Sequence, residues 1–282
     1  MKIKRKIEIA VISDTHLGTP NCQAKHLLTY LSSISPKTLI LNGDIVDGWQ
    51  FKKRYFPKSH LKVIKKIMDM AGDGVNVIYI TGNHDELLRK YSGLTIGNIA
   101  IVDKLVLNLN GKKAWIFHGD VFDTSTKNAR WLTKLGAYGY RFLTLINRLL
   151  NWYRAKCGKE RYSLSKKIKN SVKGSVKKLQ KFEKTVSKLA IENGYDYVIC
   201  GHSHKPKKEY IENKNGKTIY LNSGDWVEHF TALEYQFKRW KVHYFKHDKL
   251  APFYTDEGFE KMELQDLIAA ITIVEQQGKK AK

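Results

Sequence analysis

Apolar residues along this chain change spacing in a regular way. Short β-branched and aliphatic runs at 7–12, 38–41 and 75–80 read as buried strands. Between them, 23–33 and 60–71 carry apolar residues at helical spacing. Leu27, Leu28 and Leu31 mark the first stripe, and Leu61, Ile64, Ile67 and Met68 the second, with lysines on its other side. Pro36 stops the first helix. Residues 105–109 and 114–117, joined by Asn110-Gly111, predict a hairpin. Further on, 195–200, 218–221, 230–235 and 240–245 read as closing strands, with 222–225 as a turn. A terminal helix is predicted over 257–277, and 278–282 is a frayed basic tail. Strands alternating with helices place the chain in the α/β class.

Every early strand ends in a polar cluster that offers metal or phosphate ligands. Asp14 and His16 follow the first strand. Asp44 follows the second, on the Asn42-Gly43 turn, where glycine lets the backbone bend sharply. The third strand ends in Gly82-Asn83-His84-Asp85, the hairpin in His118-Gly119-Asp120, and the strand at 195–200 in Gly201-His202-Ser203-His204. Ligands bind at the carboxyl ends of strands in open α/β sheets. A lone histidine is most often an ordinary core or surface residue, but seven donors at successive strand ends form a set: Asp14, His16, Asp44, Asn83, His118, His202 and His204. Carboxylate, amide and imidazole donors without thiolates suit Mn2+, Fe or Zn2+ and poorly suit a closed structural zinc site. Two cations about 3.5–4 Å apart repel unless an anion lies between them. Asp44, on a tight turn between both halves of the set, is the candidate bridge. Such a pair activates water, clamps phosphate oxygens and offsets charge in an in-line displacement.

The rhythm breaks once. Candidate ligands arrive every 30 to 39 residues as far as His118, but His202 lies 84 residues further on. Between 126 and 193 there are 18 Lys or Arg against three Glu, a net of +15. That leaves +8 of the chain's +23 for everything else. Trp131, Leu135, Tyr138, Phe142, Leu145, Leu149 and Trp152 step by four and three, and Leu164, Ile168, Val172, Leu179, Phe182, Val186 and Leu189 suggest a second helix. The organisation expected is therefore one domain formed by 1–125 and 194–282, with 126–193 as a basic helical insert.

The ligand motifs resemble those of the calcineurin-like metallophosphoesterases, whose pattern is D-x-H, G-D-x-x-D, G-N-H-[DE], a lone His and G-H-x-H. Here it reads Asp14-Thr15-His16, Gly43-Asp44-Ile45-Val46-Asp47, Gly82-Asn83-His84-Asp85, His118 and Gly201-His202-Ser203-His204. The resemblance implies an αββα sandwich of two mixed β-sheets with helices outside, the insert forming a helical hairpin lid. It implies one metal on Asp14, His16, Asp44 and His204, and a second on Asp44, Asn83, His118 and His202, with Mn2+ as the expected ion. Asp44 and His84 are then the catalytic pair, His84 lying near the phosphate to stabilise or protonate the leaving group. Within the family the chain looks most like the UDP-2,3-diacylglucosamine diphosphatase branch, through the run from Gly43 to Trp49, His118-Gly119-Asp120 and a helical insert before G-H-x-H. That branch implies cleavage of a UDP-linked diacylated glucosamine to UMP and a lipid sugar phosphate, in lipid A synthesis. The chain departs from the branch at His84, where its better known members carry Arg, and in a longer, more basic insert. Another phosphodiester or phosphomonoester, nucleic acid included, and a non-catalytic scaffold of the same fold are the alternatives.

Charge and cysteine usage bear on partners and place. With 50 basic and 27 acidic residues in 282, polyanionic partners are expected. The interleaved aromatics Trp131, Trp152 and Tyr153 suit a lid resting on anionic lipid. No recognisable nucleic-acid module is present, and oligomeric state is not legible. Cys22, Cys157 and Cys200 are scattered and odd in number, which fits free thiols in a reducing compartment. The apolar run at 7–12 is too short for a signal-peptide core, and no run approaches the ~18 residues of a membrane span. A cytoplasmic protein, peripheral on the inner face of a membrane, is the expectation.

Overall fold

The protein, seen in a computed structural model, is described at residues 4–49, 56–122 and 173–248, with isolated positions Asn151, Tyr153 and Lys156. The expected helical stripe from Trp131 to Trp152, the residues 164–172 and the terminal helix over 257–277 lie outside the described residues, the three isolated positions apart.

Strands β1 (Arg5–Ile12), β2 (Ile34–Asn42) and β3 (Asn76–Ile80) run parallel to one another at the centre of a seven-stranded sheet. Its order is β12-β11-β1-β2-β3-β5-β4, with β4 Thr95–Ile96, β5 Ile99–Val102, β11 Thr231–Gln236 and β12 Arg239–Tyr244. A second sheet, β6-β7-β8-β10-β9, holds β6 Lys104–Leu109, β7 Lys112–Phe117, β8 Tyr197–Cys200, β9 Lys207–Asn213 and β10 Gly216–Asn222. In it β7, β8 and β10 are parallel to one another.

The period-two pleat explains how the sheets meet. Along β1, Ile9 and Val11 face the second sheet, whereas Ala10 and Ile12 face the helices; Ile40 of β2 takes the inner side, and Leu39 and Leu41 the outer. Both faces of β2 are covered, which is why its sequence is a continuous apolar run. Each Ile or Leu so buried contributes about 1.5–3 kcal/mol. Helices α1 (Ala24–Ser33) and α2 (Lys58–Gly72) close the outer face of the first sheet through Leu27, Leu31, Val63 and Ile67. Helix α3 (Lys173–Glu192) closes the outer face of the second, placing Val186 and Ala190 against Phe117, Val198, Cys200 and Tyr220. The layers are helix, sheet, sheet, helix, as expected. The C-terminal turns of the 126–193 segment are thus part of the wall of the second sheet.

The structure adds elements that the pattern did not predict. β2 begins at Ile34, with Pro36 inside it; there β2 is paired with β1 alone, because pairing with β3 starts at Thr38, so a missing N–H on that side costs no ladder bond. β9 is a mostly exposed edge strand, Lys-Lys-Glu-Tyr-Ile-Glu-Asn, without apolar alternation. The hairpin at Asn110-Gly111 forms as predicted, both residues holding φ near +55° and +84°, the mirror-image turn that matches strand twist.

Candidate metal centre

Six parallel strands, β1, β2, β3, β7, β8 and β10, end at one rim of the sandwich, where the two sheets abut. All seven predicted donors lie there. The loops that carry them are laced to one another by their backbones. Asp14 N–H donates to the Gly43 carbonyl (3.0 Å), His16 N–H to the Asp44 carbonyl (3.0 Å), Gly48 N–H to the His84 carbonyl (2.8 Å) and Gly201 N–H to the His118 carbonyl (2.9 Å). Five donors sit in the left-handed region: Asp14 at φ 52°, His16 at 49°, Asp44 at 54°, His202 and His204 at 58°. Such backbone costs of order 1–3 kcal/mol per residue and persists only where its surroundings over-determine it, most often at functional sites.

Side chains converge in three overlapping groups. Asp14, His16 and His204 offer atoms within 4.8 Å of one another, as do Asp44, His118 and His202; His16, Asp44 and His84 form a third such group between them. His204 Nε2 lies 3.2 Å from Asp14 Oδ1 and 3.4 Å from His16 Nε2. His118 Nε2 lies 3.2 Å from Asp44 Oδ2, and His202 Nδ1 3.1 Å from Asn83 Oδ1. His84 Nε2 is 4.0 Å from Asp44 Oδ2.

The donor set fits divalent cations on its own chemistry. His118 Nδ1 faces the Asn42 carbonyl at 2.9 Å and must be the donor, so the neutral ring aims its Nε2 lone pair at Asp44. His118 Nε2 and Asp14 Oδ1 are buried without a hydrogen-bond partner. Lone pairs held face to face repel unless a proton or a cation stands between them. Burial alone would push His118 down, but the negative charge of Asp44 beside it carries it up to about 10. For Asp44 burial works upward and is overcome by His118, then His84 and His16, which hold the carboxyl well below its usual range.

Two acidic residues matter here although the pattern gave them no task. Asp47, fully buried, brings Oδ2 to 3.2 Å from His16 Nδ1 and 3.0 Å from His84 Nδ1. Burial raises its pKa, and the two imidazole hydrogen bonds more than reverse that. His84 in turn is raised: burial opposes protonation, while the Asp47 hydrogen bond and the Asp44 and Asp47 charges favour it. Trp49 covers the same ring, centroids 4.2 Å apart. Asp85 takes hydrogen bonds from Ile45 N–H (2.9 Å), the Tyr79 hydroxyl (2.6 Å) and Gly82 N–H, tying the third loop to the second. The only sequence signal for either was membership of the G-D-x-x-D and G-N-H-D runs.

Gly82 is where this packing is tightest. A Cβ there would land on Asp44 Oδ1 and within 3.0 Å of His118 Cδ2. Gly82→Ala is therefore expected to displace the Asp44 carboxylate and to cost about 10²-fold in turnover, the scale for an ångström of misplacement. Elemental analysis of the variant should show reduced metal content; full content with normal turnover would remove the close approach from consideration.

The calcineurin-like phosphoesterase model matches residues 7–206. The chain is 26% identical over 241 residues to the UDP-2,3-diacylglucosamine hydrolase of Blochmanniella pennsylvanica, covering 81% of this chain and 92% of that protein. To the protein of the same name in Vibrio parahaemolyticus it is 23% identical, covering 79% and 92%. Among solved structures, a phosphoesterase from E. coli aligns over 84% of this chain and 92% of its own, at 13% identity and a TM-score of 0.43.

Proposed function

That this chain belongs to the calcineurin-like phosphoesterase family, and is a hydrolase of phosphate esters or anhydrides, is the premise from which we propose its substrate: UDP-2,3-diacylglucosamine or a close UDP-glycolipid, cleaved at the pyrophosphate to UMP and a lipid sugar phosphate. The observation that carries the chemistry is that Asp44 stands in two overlapping donor groups, one with His118 and His202 and one with His84 and His16, and His16 in turn groups with Asp14 and His204. The names borne by relatives over four fifths of the chain support the substrate.

In this reading Asp14, His16, Asp44 and His204 hold one divalent ion, and Asp44, Asn83, His118 and His202 the other, with Mn2+ as the ion proposed. A bound pair supplies Lewis acidity toward phosphoryl oxygens and the attacking water. The chain's own residues do the rest. Asp44 keeps its charge because His118, His84 and His16 surround it. Asp47 holds His84 by Nδ1, which leaves Nε2 turned toward Asp44 and favours the protonated ring. A protonated imidazole beside the phosphate can hand its proton to the departing oxygen. Trp49 shields that ring from water on one face.

The test is an assay of purified, Mn2+-loaded protein on the UDP-glycolipid. UMP should appear, and His84→Ala should slow its release by about 10²-fold or more. A methyl phosphodiester, whose alkoxide leaving group requires a proton, should lose more from the same change than a nitrophenyl phosphodiester, whose leaving group needs none. Cleavage of simple phosphodiesters, DNA or RNA without UMP release would overturn the substrate.

The 126–193 segment is proposed as a basic insert that brings the enzyme to an anionic membrane from the cytoplasmic side. Its support is compositional, and among the described residues no helix is long and apolar enough to cross a membrane. Because α3 builds the second sheet's outer wall, the test leaves it intact. Replacing Lys166, Lys167 and Lys169 with Glu should weaken sedimentation with anionic liposomes, each lost cation being worth about 1 kcal/mol near such a surface. Unchanged sedimentation would count against membrane docking.

A further inference from the structure

Asp225 lies on the loop after β10, within the run Asn222-Ser223-Gly224-Asp225 that the sequence presents as a mere turn. Its side chain is buried, 1% exposed, and it is fixed from two sides. Oδ1 accepts three backbone hydrogen bonds, from Val227 (3.1 Å), Glu228 (2.7 Å) and His229 (2.9 Å). Oδ2 faces two imidazoles, His204 Nδ1 at 3.3 Å and His229 Nδ1 at 3.1 Å. The loop itself is pinned to the metal rim, Trp226 N–H donating to the Asp14 carbonyl at 3.2 Å and Thr231 Oγ1 to the Ser223 carbonyl at 2.7 Å.

We propose that Asp225 is the positioning residue for His204, holding its ring by Nδ1 so that Nε2 is presented to the metal shared with Asp14 and His16. The proposal rests on the metal reading above and deepens it. His204 sits in a left-handed backbone conformation, its side chain 24% accessible and its ring stacked on that of His16, centroids 5.1 Å apart. A carboxylate clamped by three N–H groups cannot follow the ring; the ring must follow it. An acceptor at Nδ1 selects the tautomer whose lone pair is on Nε2, and that nitrogen points at Asp14 Oδ1, 3.2 Å away. Outer partners of this kind typically govern metal affinity by 10–100-fold.

The test is calorimetric titration of chelator-stripped protein with Mn2+ alone, which needs no substrate. The wild type should bind two ions. Asp225→Asn keeps Oδ1 for the three backbone donors but turns an NH2 toward His204 Nδ1, and should weaken one of the two ions by about 10–100-fold while leaving the other within about threefold. Thr231→Val loosens the same loop without touching His204 and should leave both affinities near wild type. A D225N chain that binds both ions as tightly as wild type, or a T231V chain that loses the same ion, overturns the role of Asp225. A wild-type chain that binds no Mn2+ overturns the metal reading on which the proposal stands.

Discussion

Replacing Asp44 by Asn is expected to lower turnover by about 10³-fold or more, about 4 kcal/mol of transition-state stabilisation. Asn matches Asp in size and can keep the acceptor that His84 N–H uses at 2.8 Å, so the loop should hold its shape. What is lost is the one carboxylate charge in the two groups that contain Asp44, with His118 and His202 and with His16 and His84. Two cations held close together without an intervening anion repel strongly in a buried site, where screening is weak. The variant should therefore carry fewer ions as well as turn over slowly. Metal content and kcat measured on the same preparation, with circular dichroism to check the fold, decide the matter. A variant that keeps two ions and loses less than tenfold in kcat would remove Asp44 from its bridging role.

Metal uptake is expected to strengthen by about tenfold per pH unit between about pH 6.5 and 10, then to level off, if one proton leaves as the ion enters. Asp44 holds the His118 imidazole up to about 10, so at neutral pH the ring must surrender a proton before its nitrogen can bind a cation. The sign for stability follows. A folded-state pKa raised above 6.5 stabilises the stripped protein fully below that value, and the contribution fades as pH climbs toward about 10. The depressed Asp44 carboxyl contributes above about 3.8 and is lost as pH falls through its lower folded value. Chelator-treated protein should thus lose thermal stability as pH is raised from 6.5 to 10. In Asp44→Asn the His118 partner is gone, burial alone pushes the ring below its ordinary value, and both slopes should vanish above pH 6.5. Metal titrations at several pH values would show this; an affinity flat across the range would contradict it.

The site was more legible than its supports. Asp14, His16, Asp44, Asn83, His118, His202 and His204 could be picked out because each follows directly on an apolar strand, and strand ends are local features. Asp47 and Asp225 could not be given tasks, because their partners come from elsewhere: Asp47 reaches back 31 residues to His16, and Asp225 21 residues to His204. The missed strands, β4, β5 and β9, are those with no fully buried residue. β9 is exposed along most of its length, and β4 has two residues, so neither leaves a periodic signal. Helix α3 carries two patterns at once. Its lysines made it look like part of one basic insert, yet Val186 and Ala190, fully buried, are what the second sheet packs against.

By itself the sequence determined most of the strand–helix order and the α/β class and singled out the candidate donors, since hydrophobic period and turn chemistry are properties of neighbouring residues, while the layering was implied by the family resemblance of the motifs. Only the tertiary structure decided which donors meet, which oxygen restrains each imidazole, and where glycine must stand because a side chain from another strand fills the space. Those are contacts between loops brought together by two sheets packing face to face, and no local pattern records them.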